Sequence, residues 1–496
     1  MRFRGWLHLV GIGCLAATIS VSAVGSPLID AVKKQDVQAV RTLLKQQGNI
    51  NATEADGFTA LHWAAQRNDM QLVELLLGAG ANARASTRYN ITPLYLAAVN
   101  GNAAVIARLL KAGADPNGVS QEGQTMLMTA ALSGKADAVR LLLTHGANID
   151  TKEPYRGQTA LMWAAAEGNT AVVDVLVEAG ADLTLKSNGG FTPLLFAVRE
   201  GHVGVVRALL EAGADVNQAV PVDGPRRRGY GGRLPPAGAT PLLIAVTNAH
   251  FALASELLDA GANPNADLPG YTVLHALTAV RKPGVGDNDP APEGSGRMSS
   301  LELVKKLAAR GANLNARMTK KANLNNTRAN EIGATPFFLA ALTADAELMK
   351  TLAALGADPA LTNVENSTPL MAAAGLATRS PGEDAGTESE VIEALQAALD
   401  LGADINAVDN NGETAVHAAA YKNLPKAVKF LASRGAKIEV WNREDKFGWT
   451  PLAIAAGYRF GNFKPSPDTE AAIREVMIAA GVTPPRTIVA KTQQIY

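Results

Sequence analysis

Cysteine is nearly absent. The 496-residue chain has one, Cys14, so no disulfide within the chain and no cysteine-built metal site is available. Aromatic residues are scarce, 5% against a hydrophobic content of 47%, which leaves Ala, Leu and Val as the apolar stock. That composition suits small, closely packed helices better than a large aromatic core. No charge of one sign dominates: Lys+Arg and Asp+Glu number 46 each, which removes the argument for a whole-surface nucleic-acid or membrane binder. The short motifs of common chemistries are missing as well. The chain contains no H-E-x-x-H, no G-x-S-x-G and no G-x-x-x-x-G-K-[ST], and Lys135 after Gly134 lacks the glycine spacing of a phosphate loop.

The first residues stand apart. Arg2 and Arg4 precede the apolar run WLHLVGIGCLAATISV, and Val21-Ser22-Ala23 puts small residues where a cut after Ala23 needs them. The pattern predicts a cleaved signal peptide over 1–23 and an exported protein, periplasmic or secreted, with no membrane span left after cleavage. The alternative is a lipoprotein anchored at Cys14. Against it, the apolar run continues past Cys14, and Gly11 stands where such sites usually carry Leu. Cleavage at Ala23 leaves no cysteine, hence no thiolate nucleophile.

What the chain has in abundance is self-similarity. Thr59, Thr92, Thr125, Thr159, Thr192, Thr240, Thr272, Thr335, Thr368, Thr414 and Thr450 head alike segments, with Ser26 in the same slot, at a basic interval of 33 residues. Gly48, Gly80, Gly113, Gly146, Gly180, Gly213, Gly261, Gly311, Gly356, Gly402, Gly435 and Gly481 form a second series, 21 residues after the Thr in eight units. Each landmark has a local reason. Thr can cap a helix, and Pro often follows it, as at Pro93 and Pro193, where a missing N–H costs little. Ala pairs such as Ala64-Ala65 admit a neighbouring helix, and a second helix carries apolar residues at i, i+3, i+4, as in Val172, Val175 and Leu176. Glycine then suits the left-handed residue that ends the second helix. About a dozen turn-forming residues lead to the next Thr.

The copies TALHWAAQRNDMQLVELLLGAGAN (59–82), TPLLFAVREGHVGVVRALLEAGAD (192–215) and TAVHAAAYKNLPKAVKFLASRGAK (414–437) resemble the ankyrin repeat family. The resemblance covers about residues 26–483 and implies an all-α solenoid of about twelve helix-turn-helix repeats joined by β-hairpin-like fingers. It departs from the pattern at the ends, with Ser26 for Thr, Gly48-Asn49 for Gly-Ala and Gly481-Val482 closing the last unit. A terminal repeat lacks one neighbour, so atypical ends are expected. The array is predicted over 24–483, with a tail at 484–496. Interval arithmetic puts insertions near 281–300, 378–389 and 460–469 between the two helices of a repeat. Two more, near 218–238 and 316–333, fall between repeats. With helix layers about 8–10 Å apart, the array would be roughly 100 Å long.

Histidine tests for chemistry, since it serves acid–base, nucleophilic and metal sites alike. All six beyond the signal fall on repeat slots. His62, His275 and His417 fill the fourth position of T-x-L-H, His202 and His250 the turn, and His145 precedes Gly146. The resemblance implies a structural role for them. The Asp and Asn residues of GADPNG (113–118) and DNNGET (409–414) sit where turns need short polar side chains, at spacings that vary between copies, so calcium is not expected. No catalytic residue, metal or cofactor is predicted. Trp63 and Trp163 are expected to pack between repeats.

The resemblance also implies where partners meet the repeats: the residues just before the Thr, those just after the Ala pair, and the finger tips. Here those slots hold Phe58, Tyr89, Tyr155, Arg156, Phe191, Tyr271, Tyr421, Phe447, Trp449 and Tyr458. Exposed Tyr, Trp, Phe and Arg suit interface hot spots, while buried they would simply pack on the next finger. The finger at 218–238 carries Arg226, Arg227, Arg228, Tyr230 and Arg233, and the one at 316–333 carries Arg317, Lys320, Lys321 and Arg328. They read as solvated loops or as a basic platform for an acidic partner. The predicted function is a monomeric, non-catalytic scaffold binding a protein on its concave face and fingers, outside the cytoplasm, with nucleic acid not expected. The alternatives are a carbohydrate- or envelope-binding module and an enzyme subunit.

Overall fold

A computed structural model describes residues 26–222, 236–283, 294–324, 328–378, 381–382, 384–459 and 465–488. The predicted signal peptide, Cys14 and Arg226, Arg227, Arg228, Tyr230 and Arg233 lie outside the described residues.

Residues 59–82 show how one unit folds. Thr59 caps the helix Ala60–Gln66 by accepting from the His62 backbone N–H. Leu61, Ala64 and Ala65 are buried, so this short helix is covered on several sides. The chain reverses at Asn68 (φ 55°), and Asp69 caps the helix Met70–Gly78 by accepting from Leu72 N–H. That second helix buries one stripe, Leu72, Val73 and Leu76, and faces outward with the rest. Gly80, at φ 94°, ends it.

The same hairpin recurs throughout the described residues, and the contacts gather it into two compact units, 1–148 and 149–496. In the first, the helices Pro27–Lys33, Ala60–Gln66, Pro93–Asn100 and Met126–Leu132 pack each on the next, as do their partners Val37–Lys45, Met70–Gly78, Ala103–Lys111 and Ala136–Thr144. The second repeats the scheme from Ala160–Glu167 to Pro467–Ala479, with a one-turn helix, Ile438–Trp441, before its last pair. This is an all-α repeat solenoid.

Two details refine the sequence reading. First, the hairpin-like fingers are turns rather than ladders among the described residues. No strand forms; two isolated antiparallel bridges, Thr53–Thr59 and Val119–Thr125, are all that remains of one. Each finger is instead a tight turn closed by backbone bonds, such as Thr87 N–H to Ile91 O (3.0 Å), Ser187 N–H to Phe191 O (2.9 Å) and Asp409 N–H to Glu413 O (3.0 Å). It is too short to build a ladder. The residue five before the Thr also closes the turn with its side chain: Asn363 Oδ1 accepts from Glu365 and Ser367 N–H, Asp445 Oδ1 from Phe447 and Trp449 N–H. Second, the left-handed slot of the first unit belongs to Gln47 (φ 52°) rather than Gly48. Gln47 is 21 residues after Ser26, the spacing of the other units, so the departure at this end is a substitution in the slot.

The insertions lie where the helices end. Residues 282–299 separate Val273–Arg281 from Ser300–Ala309, and 375–387 separate Pro369–Ala374 from Glu388–Asp400. Residues 456–466 separate Pro451–Ala455 from Pro467–Ala479, each within one hairpin. Residues 212–240 and 310–335 join successive hairpins. At the end of the helix Val273–Arg281, Arg281 reaches Asp345 (2.7 and 3.2 Å) and Glu347 (3.1 Å) on the following hairpin.

Candidate binding surface

The histidines are spent within the repeats. Thr59 N–H donates to His62 Nδ1 (3.1 Å), and Nε2 sits 3.0 Å from the Ile91 carbonyl of the next unit. A backbone N–H only donates and a carbonyl only accepts, so the ring is neutral, with its proton on Nε2. His275 repeats the pattern with Thr272 N–H (3.1 Å) and Ala334 O (3.1 Å), and His417 with Thr414 N–H (3.2 Å) and Arg443 O (3.0 Å). Burial lowers all three, His275 and His417 to about 4, against the opposing carbonyl bonds. His202 and His250 bridge from the turn to Ala166 O and Arg199 O, each at 3.0 Å, and His145 bonds Leu141 O on the surface (2.8 Å). Among the described residues, no three His, Cys, Asp or Glu side chains are grouped to hold a metal ion.

The aromatic slots divide sharply. Phe191, Tyr271, Tyr421 and Trp449 are buried, the packed one of the two alternatives their slots left open. Phe191 stacks on Phe196 (5.3 Å) with Arg199 over both rings. Tyr421 ends the helix Ala415–Tyr421, whose residues are all buried. Phe58, half-buried, packs against His62 and Trp63 (5.2 and 5.3 Å). Trp63 donates to Glu54 (2.7 Å) under the Lys33 ammonium. Phe447 and Tyr458 are half-buried.

Tyr89 and Tyr155 remain, 43% and 71% exposed, with Arg156 exposed beside the latter. Tyr89 belongs to the first unit and carries Arg88 over its ring at 4.7 Å. Tyr155 and Arg156 belong to the second unit, at a finger tip whose backbone is clamped from both sides. Buried Glu153 accepts from the N–H groups of Tyr155, Arg156 and Gln158, and Asn188 of the next finger bonds the Tyr155 and Arg156 carbonyls (3.0 and 2.7 Å). Gly157 closes this tip at φ 65°, where a Cβ would collide with Asn188. The two side chains are thus held out on fixed backbone.

Of the second basic finger, Arg317 is committed to the carbonyls of Gly333 and Thr362 (3.2 and 2.8 Å), whereas Lys320, Lys321 and Arg328 are exposed. Its one acid, Glu331, is buried and accepts three backbone N–H bonds, from Ala322, Asn323 and Leu324.

Sequence reasoning missed a ladder of asparagines. Asn217 Oδ1 accepts from Asn263 N–H (2.8 Å), and Asn265 in turn bonds Asn313 N–H (2.7 Å) and Gly311 O (2.8 Å). Asn315 continues it to Asp358 N–H (2.8 Å), and Asn117 makes the same pair of bonds to Asn148 N–H and Gly146 O in the first unit. The available signal was the second polar residue of G-A-D/N-x-N, read as turn chemistry alone.

Family models for ankyrin repeats match the chain. One, for ankyrin repeats in three copies, covers residues 28–120, 65–153, 108–187, 150–219 and 385–464, and one for a single ankyrin repeat covers 237–267. The matched spans leave out 268–384, where hairpins with the same Thr caps nonetheless continue. No curated protein matches the chain.

Proposed function

The chain belongs to the ankyrin repeat family, and from that premise we propose that it is a non-catalytic scaffold acting outside the cytoplasm, which docks a protein partner through its finger tips. Repeats of this family generally mediate protein–protein interaction. The observation that carries the reading is the tip at Tyr155 and Arg156: an aromatic and a guanidinium, both exposed, on backbone that is already immobilised. Rigid presentation of such residues lowers the ordering cost of binding. Tyr89 with Arg88 offers a similar pair in the first unit. Export rests on the N-terminal pattern of Arg2, Arg4 and Val21-Ser22-Ala23.

The test is affinity capture by the full chain and by a Tyr89→Ala/Tyr155→Ala/Arg156→Ala variant. The variant should keep its helical circular dichroism and bind the captured protein at least about 30-fold more weakly, the loss of roughly 2 kcal/mol typical of one hot spot. Equal capture removes the tips as the binding site. A glycan array run alongside addresses the second reading, which the open Tyr155 ring favours: sugar binding without protein capture would replace the scaffold by a carbohydrate-binding module. Cell fractionation tests export, with the chain expected in the periplasm or medium.

A further inference from the structure

The last fingers contain three buried carboxyls whose bonds differ in one place. Asp409, five before Thr414, is fully satisfied: Oδ1 accepts from Asn411 and Glu413 N–H (2.8 and 2.9 Å), and Oδ2 accepts from the Ser367 hydroxyl (2.8 Å). Ser367 is the residue before Thr368, in the preceding unit. One unit later the register is the same. Asp445 stands five before Thr450, and its Oδ1 accepts from Phe447 and Trp449 N–H (2.8 and 2.9 Å). Its Oδ2 is buried without a hydrogen-bond partner, although the Tyr421 hydroxyl faces the same carboxyl. By register, the slot that Ser367 holds before Thr368 falls before Thr414 to Glu413, itself 7% exposed. A hydroxyl donates at any pH in the working range. A carboxyl donates only when protonated.

We propose that Glu413 carries a proton in the folded chain and donates it towards Asp445 Oδ2, making the last two fingers a proton-held clasp that alkali loosens. The groups around Glu413 favour this. Burial comes first, then the negative charges of Asp409 and Asp445, with Glu365 adding and Lys446 opposing, and together they push Glu413 up to about 8. Lys446 is turned to Asn411 Oδ1 of the preceding finger. Tyr421 is raised far beyond the range of interest by burial and the same acids, so it stays a neutral hydroxyl. Arg459 donates to the Tyr421 carbonyl and to Asn423 Oδ1 rather than to the acids.

The sign follows from linkage. An exposed Glu titrates near 4.5 and this one near 8, so opening the clasp releases a proton between those values. The opening equilibrium should rise by about tenfold per pH unit across that window and level off above it. The experiment is amide hydrogen exchange of residues 445–449 in the full chain from pH 5.5 to 9, corrected for intrinsic exchange. Wild type should show the rise; Glu413→Gln, whose amide donates without titrating, should be flat. Glu413→Ser, which copies the Ser367 arrangement, should be flat too and guards against a misfolded Gln variant. Parallel profiles for wild type and both variants would overturn the proposal. So would loss of the pH response in Tyr421→Phe with its retention in Glu413→Gln.

Discussion

At the scale of single residues, the distinctive side chains are claimed by the fold. His275 illustrates the cost of removing one. Its ring joins Thr272 N–H to Ala334 O with no solvent access, so His275→Ala should destabilise the 149–496 unit by about 1–3 kcal/mol, read by urea unfolding at pH 7. The pH dependence has a definite sign. His275 and His417 titrate near 4 when folded against 6.5 when exposed, so the stability they give is present above 6.5 and lost as pH falls towards 4. Glu413 acts in the opposite sense over 4.5–8, so the acid loss is best measured in Glu413→Gln, where unfolding midpoints should decline from pH 6.5 to 4.5. A flat profile there would contradict the neutral-ring assignment. These histidines were legible in the sequence because T-x-L-H places ring and cap three residues apart. Phe191, Tyr271, Tyr421 and Trp449 were not, because their burial depends on a neighbouring finger and no local spacing encodes it.

At the scale of the element, each hairpin is shaped by its caps and its two left-handed turns. The Thr caps and the Gly series could be read directly, since both answer to backbone needs within one unit. The fingers could not: turn-forming composition does not distinguish a closed turn from a two-stranded hairpin. The asparagine ladder was hidden for a related reason. Asn117 to Asn148 spans 31 residues, but Asn217 to Asn263 and Asn265 to Asn313 cross insertions of variable length, so the ladder keeps no single spacing. Gln47 is where the element departs from its own rule. A non-glycine residue at φ 52° costs about 1–2 kcal/mol, partly offset by the entropy glycine loses on folding. Gln47→Gly should therefore stabilise the first hairpin by up to about 1 kcal/mol, slowing amide exchange in the helix Val37–Lys45 by up to about fivefold. Faster exchange would show that the Gln side chain contributes more than its backbone costs.

At the scale of the molecule, stability is a sum of hairpins and the contacts between successive ones. Within 149–496, the first helices pack each on the next, the second helices do likewise except between Val203–Glu211 and Phe251–Asp259, and Arg281 and the asparagines bond one hairpin forward. Matches to the repeat family along most of the chain fit such a plan. On the proposed function, the finger tips are the surfaces that meet a partner. The most direct test is amide hydrogen exchange on the full chain and on a piece comprising residues 149–496. If neighbours alone supply the core, the piece should match the full chain in every helix beyond its first hairpin. Collapse of protection throughout the piece would contradict the account, for it would mean that distant parts of the chain hold these hairpins together.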